Sequence, residues 1–477
     1  MSQTSIDDKI PAPVSNGIIY DYTVFGSDSA DAVLANRLSK QKDKQVLLIE
    51  ADGTVTTDTI HMPTEGQYAR GDPHDYDSWE LEEWSFNKLL PYFKNLERAD
   101  INSIPENEKF CNHDQKKGMM DVTVLEESNK LNRLFIKSCE KNGFHQTKDY
   151  NADESLNGCV SISQISTKHG KRCSTASGYL LSAIKRNNFH ILTNAHTCRV
   201  LFNEEKQTTG VIVRRDSSPD KEEFIKGKEV ILSAGAIGSP RSTCKISTLE
   251  NLQRWSTEGK DSLVSNMIES HAKTQVSDTQ LHFGRVAVDA ELMKNFNFNP
   301  KIYEQYLNSY LSDGEQLTVI CFPTLLHPKS TGEITLASRD PFIHPIINPN
   351  YLQNQEDVQT LVEACKLVDK ICHNEPLNNT IRSLAKEMNG TETIDDEDKF
   401  WESYVRKYTV TAYHPVGTCK MGKQQDEMTV VTSDTKVKGV TGLRVIDASI
   451  MPSIISSNTN IPTIAIAERA ADLIKNI

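Results

Sequence analysis

The chain has 477 residues, of which 37% are hydrophobic and 25% are charged, and its formal net charge is −12. This length predicts two or three domains with substantial cores, and the composition is typical of globular proteins in water. An acidic chain gains nothing from the counterion release that drives nucleic-acid binding, so we expect no nucleic-acid partner. The sequence has no apolar run of about 18 residues and begins without a basic, apolar leader, so we expect no membrane partner and a cytoplasmic location. If a leader had been removed, we would expect a secreted protein instead.

The first elements predicted along the chain form a βαβ unit. Residues 1–17 are polar and are predicted to be a flexible tail. Residues 18–25 are an apolar run that predicts a buried strand ending at Gly26. Apolar positions in residues 29–40 have helical spacing, and residues 45–50 form a second apolar run. A strand, a tight turn, a helix and a strand within about 30 residues indicate two parallel strands joined by a crossover helix.

Later segments are predicted from the same patterns. Ten cysteines are spread along the chain without a Cys-x-x-Cys pair, which favours reduced, buried thiols. No histidines have a ligand spacing such as His-Glu-x-x-His, so we predict no metal site. Helical structure is predicted for residues 75–97, 128–142, 355–373 and 462–477, and strand-rich structure for residues 189–235 and 273–350.

The turn after the first strand is a candidate phosphate-binding loop. A dinucleotide-binding unit carries Gly-x-Gly-x-x-Gly there and an acidic residue at the end of the second strand. The sequence reads Gly26-Ser27-Asp28-Ser29-Ala30-Asp31, and Glu50 ends the second apolar run. Asp28 and Asp31 thus replace the second and third glycines. Because a helix N-terminus attracts anions, the Asp28 carboxylate would either repel a phosphate or cap the helix itself.

Three blocks near the end of the chain are more specific than this turn. Residues 413–422 read Tyr-His-Pro-Val-Gly-Thr-Cys-Lys-Met-Gly, and residues 437–452 and 457–463 follow with characteristic spacing. In this order they resemble the glucose-methanol-choline (GMC) oxidoreductases, as do earlier blocks at residues 174–180 and 232–240. The resemblance covers most of the chain.

The resemblance implies an α/β fold, α+β overall, in which a FAD-binding, Rossmann-like domain with a parallel sheet is interleaved with a substrate domain built on an antiparallel sheet. The FAD-binding-type domain would comprise residues 18–65, 160–270 and 405–477. The substrate-type domain would comprise residues 66–159 and 271–404. The implied cofactor is FAD.

The resemblance also implies that a small-molecule alcohol loses a proton to a base and a hydride to FAD. His414 matches the catalytic base, and a neutral histidine suits that proton transfer. Asn458 matches a second catalytic position that orients the substrate oxygen, although it could instead cap the final helix. Glu50 would bind the cofactor ribose or remain solvated. The implied cofactor-binding residues are Gly26, Ser29, Glu50, Ala234, Gly235, Asp447, Thr459 and Asn460.

Departures from the family pattern keep three hypotheses open. Only 12 residues separate Gly53 from Gly66, where the family has a longer stretch with a loop that covers the flavin. A family turn is replaced at residues 245–249, and residues 266–271 match only loosely. The chain could be a FAD-dependent alcohol oxidase or dehydrogenase with weakened flavin binding. It could also be a flavin-poor or flavin-free pseudoenzyme with a structural or interaction role, or a non-redox lyase. These motifs leave the alcohol and the oligomeric state open.

Overall fold

The structure is a computed structural model that describes most of the chain. The described residues are 17–26, 29–51, 67–100, 118–124, 130–151, 158–168, 171–243, 270–273, 278–286, 318–381 and 396–476. Five sequence-based expectations fall outside these ranges: the tail at residues 1–16, Asp28, the short connection between Gly53 and Gly66, residues 245–249, and residues 266–269.

The described helices are α1 (Ser29–Leu38), α2 (Pro73–Asp77), α3 (Phe86–Leu96), α4 (Lys130–Lys141), α5 (Leu181–Ala183), α6 (Gly235–Thr243), α7 (Gln355–His373), α8 (Glu397–Tyr408) and α9 (Asn460–Lys475). Single turns of other helix types occur at Glu82–Trp84, Ala176–Leu180, Leu377–Asn379 and Ala448–Ile450.

The described strands are β1 (Tyr20–Phe25), β2 (Val46–Ile49), β3 (Glu97–Ala99), β4 (Met120–Val124), β5 (His145–Gln146), β6 (Cys159–Ile162), β7 (Gln164–Ile165), β8 (Thr167–Lys168), β9 (Lys171–Arg172), β10 (Phe189–Leu192), β11 (Ala195–Phe202), β12 (Thr208–Arg215), β13 (Ser218–Leu232), β14 (Ser270–Lys273), β15 (Thr279–Val286), β16 (Thr318–Leu325), β17 (Glu333–Thr335), β18 (Ile346–Asn348), β19 (Met421–Gly422), β20 (Val431–Thr432) and β21 (Leu443–Val445).

The largest sheet has the strand order β10-β2-β1-β13-β12-β11, with β21 also pairing with β13. Strands β10, β2, β1, β21 and the end of β13 run parallel, with Phe25 opposite both Ile49 and Leu232. Strands β11 and β12 continue the sheet in antiparallel pairing with the first part of β13. The predicted βαβ unit with parallel strands is therefore confirmed.

A separate sheet has the order β16-β15-β14-β6-β5 and is antiparallel except for the β5–β6 pair. Helices α4 and α7 pack against it through a core that includes Phe135, Phe283 and Ile371. The predicted combination of a parallel sheet and an antiparallel sheet is confirmed. Because β6 already belongs to the antiparallel sheet, we propose that the domain boundary expected at residue 160 lies after Ile162.

Helices α1 and α9 lie in the interior of the domain that holds the parallel sheet. Nine of the ten residues of α1 are buried, including Asp31 in its first turn, and α9 is buried along most of its length. Helix α9 begins at Asn460, earlier than the predicted residue 462. Alanines on both helices allow close approach, so the two helices pack against each other as well as against the sheet.

Candidate functional site

The parallel strands end at one edge of their sheet, and most of the predicted cofactor-binding residues follow directly after these strand ends. The carboxyl ends of parallel strands share an edge, and ligands of doubly wound sheets bind outside that edge. Strands β1, β2, β13 and β21 end at Phe25, Ile49, Leu232 and Val445. The fold thereby brings together Gly26, Glu50, Ala234, Gly235 and Asp447.

Gly26 lies in a crowded position, whereas Gly235 lies in an open one. A Cβ atom on Gly26 would lie 2.0 Å from the carbonyl oxygen of Ser233, so only glycine allows β1 and β13 to end this close together. Gly235 has a φ of +75°, and apart from its chain neighbours and its own helix, a Cβ there would meet no atom of the described residues within 4 Å. The backbone at Gly235 therefore borders open space at the sheet edge, where a ligand could approach it closely.

Asp447 organises the turn at Gly235. Its Oδ2 accepts hydrogen bonds from Gly235 N at 3.0 Å and Ser239 Oγ at 2.5 Å, and its Oδ1 accepts from Ser449 N at 2.8 Å. The side chain is buried, and burial raises the pKa of this carboxyl group while the donors around it oppose that shift. The carboxylate thus contacts protein donors, and we infer that Asp447 acts on a cofactor by holding Gly235 in place.

The N-termini of α1 and α9 meet at the same edge. The Asn460 side-chain amide donates a hydrogen bond to Ser29 Oγ, which joins the first residues of the two helices. Thr459 caps α9 through its backbone, since its carbonyl oxygen accepts from Thr463 N at 3.0 Å. Helix N-termini carry unpaired N–H groups and a partial positive charge, so this corner suits an anionic ligand.

Glu50 is held at the edge by its backbone. Its N–H donates to Leu192 O at 2.8 Å, and its carbonyl oxygen accepts from Ala195 N at 3.0 Å. These bonds fix the point where the chain leaves β2, and the Glu50 residue is partly exposed there. The position is that of the acidic residue in a dinucleotide-binding unit. Its proposed contact with a ribose stays a prediction.

His414 and Asn458 form the polar pair of the candidate catalytic site. His414 Nε2 lies 3.0 Å from Asn458 Nδ2, and Asn458 Oδ1 accepts from Asn460 N at 3.1 Å. Because the amide oxygen is used by a backbone N–H, the amide nitrogen faces the imidazole, where it can only donate. His414 Nε2 is therefore the acceptor, and the ring proton of the neutral imidazole is on Nδ1.

Asn458 makes the helix-capping contact that the sequence offers as an alternative to a catalytic role, and it also meets His414. The same side chain caps α9 through Oδ1 and meets His414 through Nδ2. The cap fixes the amide orientation, and the orientation in turn fixes the tautomer of His414. The catalytic role of Asn458 stays a prediction.

The charge state of His414 is set by its surroundings. Burial lowers the pKa of His414 to about 4, although the residue is partly accessible. The loop that carries it is held by a hydrogen bond from Thr418 Oγ1 to Ala236 O at 2.6 Å. Tyr413, immediately before it, has a φ of +59°, a conformation that is unfavourable for a bulky side chain. This strained turn aims an uncharged imidazole at Asn458.

Sequence reasoning did not single out Ser239 and Thr418, which support Asp447 and the His414 loop. Their contacts join residues 208 and 182 positions apart. Both residues lie within blocks that carry the family resemblance, at residues 232–240 and 413–422, but those blocks do not indicate which residues they contact. Only the fold reveals what they support.

The described residues fit a dinucleotide cofactor such as FAD. The open space beside Gly235 accepts close approach of a ligand, the paired helix starts suit its phosphates, and Glu50 offers a carboxylate to a ribose. Within the described ranges, no group of three or more His, Cys, Asp or Glu side chains could hold a metal ion. No helix in the described part of the chain is long and apolar enough to cross a membrane.

Comparison with known proteins gives consistent matches. Two family models described as GMC oxidoreductase match residues 65–246 and 328–467. An alcohol dehydrogenase (acceptor) of Pseudomonas putida is 29% identical, covering 96% of each chain. A glucose dehydrogenase (FAD, quinone) of Drosophila melanogaster is 30% identical, covering 96% of this chain and 87% of the relative. The fold is similar to the crystal structure of pyridoxine 4-oxidase from Mesorbium loti, with a TM-score of 0.74, 22% identity and coverage of 96% and 99%.

Proposed function

Because this chain belongs to the GMC oxidoreductase family, whose cofactor is FAD, we propose that it oxidises a CH–OH group of a small-molecule alcohol. The observation that carries the proposal is the contact between His414 Nε2 and Asn458 Nδ2 beside the cofactor edge. This contact supports the proposal, because an uncharged imidazole with a free acceptor nitrogen could take the proton of an alcohol hydroxyl.

The proposed cofactor contacts use residues at the carboxyl edge of the parallel sheet. The backbone at Gly26 and Gly235 would approach the cofactor, and the helix starts at Ser29 and Asn460 would face its phosphates. Glu50 would accept hydrogen bonds from its ribose. When bound, FAD supplies the acceptor for the hydride that leaves the carbinol carbon.

The proton would be handled by His414 and Asn458. The substrate hydroxyl would donate to His414 Nε2 and accept from Asn458 Nδ2. Its oxygen would thus contact both nitrogens and replace the direct hydrogen bond between them. Asn458 keeps its orientation, because its Oδ1 remains bound to the backbone of α9. His414 would then take the hydroxyl proton and become an imidazolium. Asn458 would donate a hydrogen bond to the substrate oxygen while the charge on that oxygen changes.

The alternatives raised by the sequence do not gain support from the described residues. In the proposed site, the cofactor-binding residues and a base lie together at the edge of the sheet. A scaffold protein would need neither. A lyase would need no hydride acceptor, and no feature of the described site favours that chemistry over alcohol oxidation.

The proposal is tested by mixing the FAD-loaded protein anaerobically with a panel of alcohols. Because the relatives named above are an alcohol dehydrogenase and a glucose dehydrogenase, the panel begins with simple alcohols and glucose. We expect the oxidised flavin absorbance to bleach with at least one of them, and the His414→Ala variant to bleach far more slowly. Protein that takes up no FAD, or whose flavin stays oxidised with every alcohol, would contradict the proposal.

A further inference from the structure

A buried carboxylate contacts the loop that leads to Asn458. Asp75, in α2, has a side chain that is 2% exposed. Its Oδ2 accepts from Ser456 N and from Ser456 Oγ, both at 2.7 Å, and from Asp72 N at 3.0 Å. Ser456 lies two residues before Asn458, so this carboxylate fixes the backbone immediately before the catalytic pair. The proposed reaction does not itself use Asp75.

The other oxygen of Asp75 meets a histidine that is held between two carboxylates. His327 Nε2 lies 2.8 Å from Asp75 Oδ1, and His327 Nδ1 lies 2.6 Å from Asp278 Oδ1. Carboxylate oxygens only accept hydrogen bonds when ionised, so both ring nitrogens carry protons and the ring is an imidazolium. The hydrogen bonds to Asp278 and Asp75 raise the pKa of His327 to about 10.

The resulting chain of contacts runs from the antiparallel sheet to the catalytic loop. Asp278 precedes β15 and His327 follows β16, so both lie at the same end of two neighbouring strands of that sheet. A second bond, from Trp79 Nε1 to Ser453 Oγ at 3.1 Å, joins the segment after α2 to the same loop. The antiparallel sheet is thereby connected to the loop through His327 and Asp75.

We propose that His327 and Asp75 are positioning residues, which hold the loop at Ser456 so that Asn458 donates to His414 Nε2. This inference rests on the proposed function for its catalytic consequence, but the positioning itself concerns only the protein. In the described part of the chain, the charged groups that face His327 are Asp75 and Asp278. Tyr76 lies beside Asp75, but its hydroxyl donates to the carbonyl oxygen of Arg70.

The imidazolium matters because Asp75 is buried. Without its counter-charge, a buried carboxylate either takes up a proton or draws in water, and each weakens its hold on Ser456. Asn458 would then lose its fixed direction toward His414. Displacing a catalytic group by about 1 Å can cost on the order of 100-fold in rate.

The first test compares His327→Gln with His327→Arg in FAD-loaded protein. Glutamine fills the space without the charge, and arginine restores the charge and donors. We expect His327→Gln to lower kcat by on the order of 10-fold to 100-fold, with flavin content and KM little changed, and His327→Arg to recover part of the loss. His373→Gln is the matched control, because His373 is an exposed histidine beside Asp369 at the end of α7 and should leave kcat unchanged.

The second test needs no substrate and follows the ring nitrogens of His414 by nitrogen-15 NMR in histidine-labelled, FAD-loaded protein. His414→Gln identifies the resonances. We expect the parent and His373→Gln to show the single tautomer with a proton on Nδ1, and His327→Gln to show a mixture of tautomers. An unchanged His414 tautomer in His327→Gln would overturn the proposal, as would a kcat loss that merely follows lost flavin. If no alcohol is oxidised by the parent, the proposed reaction fails while this readout still decides the positioning.

Discussion

At the scale of single residues, the two histidines of this site are controlled in opposite ways. His414 has a lowered pKa because burial penalises its charged form, whereas His327 has a raised pKa because two carboxylates stabilise its charge. An uncharged imidazole and an imidazolium therefore lie within one region of the candidate site. The same residue type serves both purposes because its ordinary pKa lies near neutrality.

The first prediction concerns His414 as the base. Replacement by alanine should lower kcat by about 100-fold or more, as loss of a general base usually does. Because only the neutral ring accepts a proton and its pKa is about 4, kcat/KM of the parent should stay level as pH falls from neutrality and decline only near that value. Steady-state kinetics of parent and variant across pH would measure both effects. Unchanged turnover in His414→Ala would remove this residue from the mechanism.

The second prediction concerns the pH dependence of stability at His327. Its pKa in the folded protein, about 10, is above the ordinary 6.5, so its stabilising contribution is complete below pH 6.5 and disappears as pH rises through about 10. The stability difference between parent and His327→Gln should therefore be larger at about pH 6 than at about pH 9. Urea unfolding at the two pH values measures it. A difference that is the same at the two pH values would argue against a charged His327.

At the scale of elements, α1 and α9 are joined by a buried ion pair. Arg37 Nε and Nη2 each donate to the Glu468 carboxylate at 2.6 Å, and Tyr179 Oη donates to the same carboxylate at 2.6 Å. The side chains of Arg37 and Glu468 are 16% and 9% exposed. This bidentate contact fixes how α1 and α9 are rotated about their own axes. The N-termini of these helices, at Ser29 and Asn460, form the corner that suits an anionic ligand.

The third prediction follows from that ion pair. Glu468→Ala leaves the Arg37 charge buried without its partner and should cost about 3 kcal/mol of unfolding free energy. The double variant Arg37→Met with Glu468→Met removes both charges and should be more stable than the single variant. Thermal unfolding of the three proteins provides the comparison. If the double variant is the least stable of the three proteins, the loss of stability comes from losing the ion pair and not from leaving the Arg37 charge unpaired.

At the scale of the whole molecule, the proposed cofactor-binding edge is assembled from segments that are distant in sequence. The first βαβ unit, the turn after β13, the turn after β21 and the start of α9 all contribute to the same edge. Separate hydrogen bonds hold these segments. For example, Asp447 accepts from Gly235 N, and Ser29 Oγ accepts from the Asn460 side chain. The affinity for FAD is therefore a property of the assembled domain, and a single altered turn should weaken it without removing the site.

The fourth prediction addresses the altered glycine loop. Asp28→Gly should tighten FAD by up to about three decades, because two unit charges about 4 Å apart repel by roughly 4 kcal/mol at an effective dielectric constant near 20. Asp31→Gly is the comparison and should help less, since glycine within a helix costs about 1 kcal/mol. Flavin titration with fluorescence detection measures both variants. If the parent and both variants bind FAD with equal affinity, neither aspartate weakens binding. Any weak binding would then be attributed to the short connection between Gly53 and Gly66.

The sequence by itself determined the family, the FAD cofactor, the combination of parallel and antiparallel sheets, and the positions of helices such as Gln355–His373. These features have local signals, because periodicity and short motifs are written in neighbouring residues. Tertiary structure alone decided that Asn458 both caps α9 and meets His414, that Asp447 supports Gly235, and that His327 is an imidazolium. The hydrogen bonds from Asn458 to His414, from Gly235 to Asp447 and from His327 to its carboxylates join residues between 44 and 252 positions apart, so they leave no local pattern. A pKa depends on burial and neighbouring charges that exist only after the chain has folded.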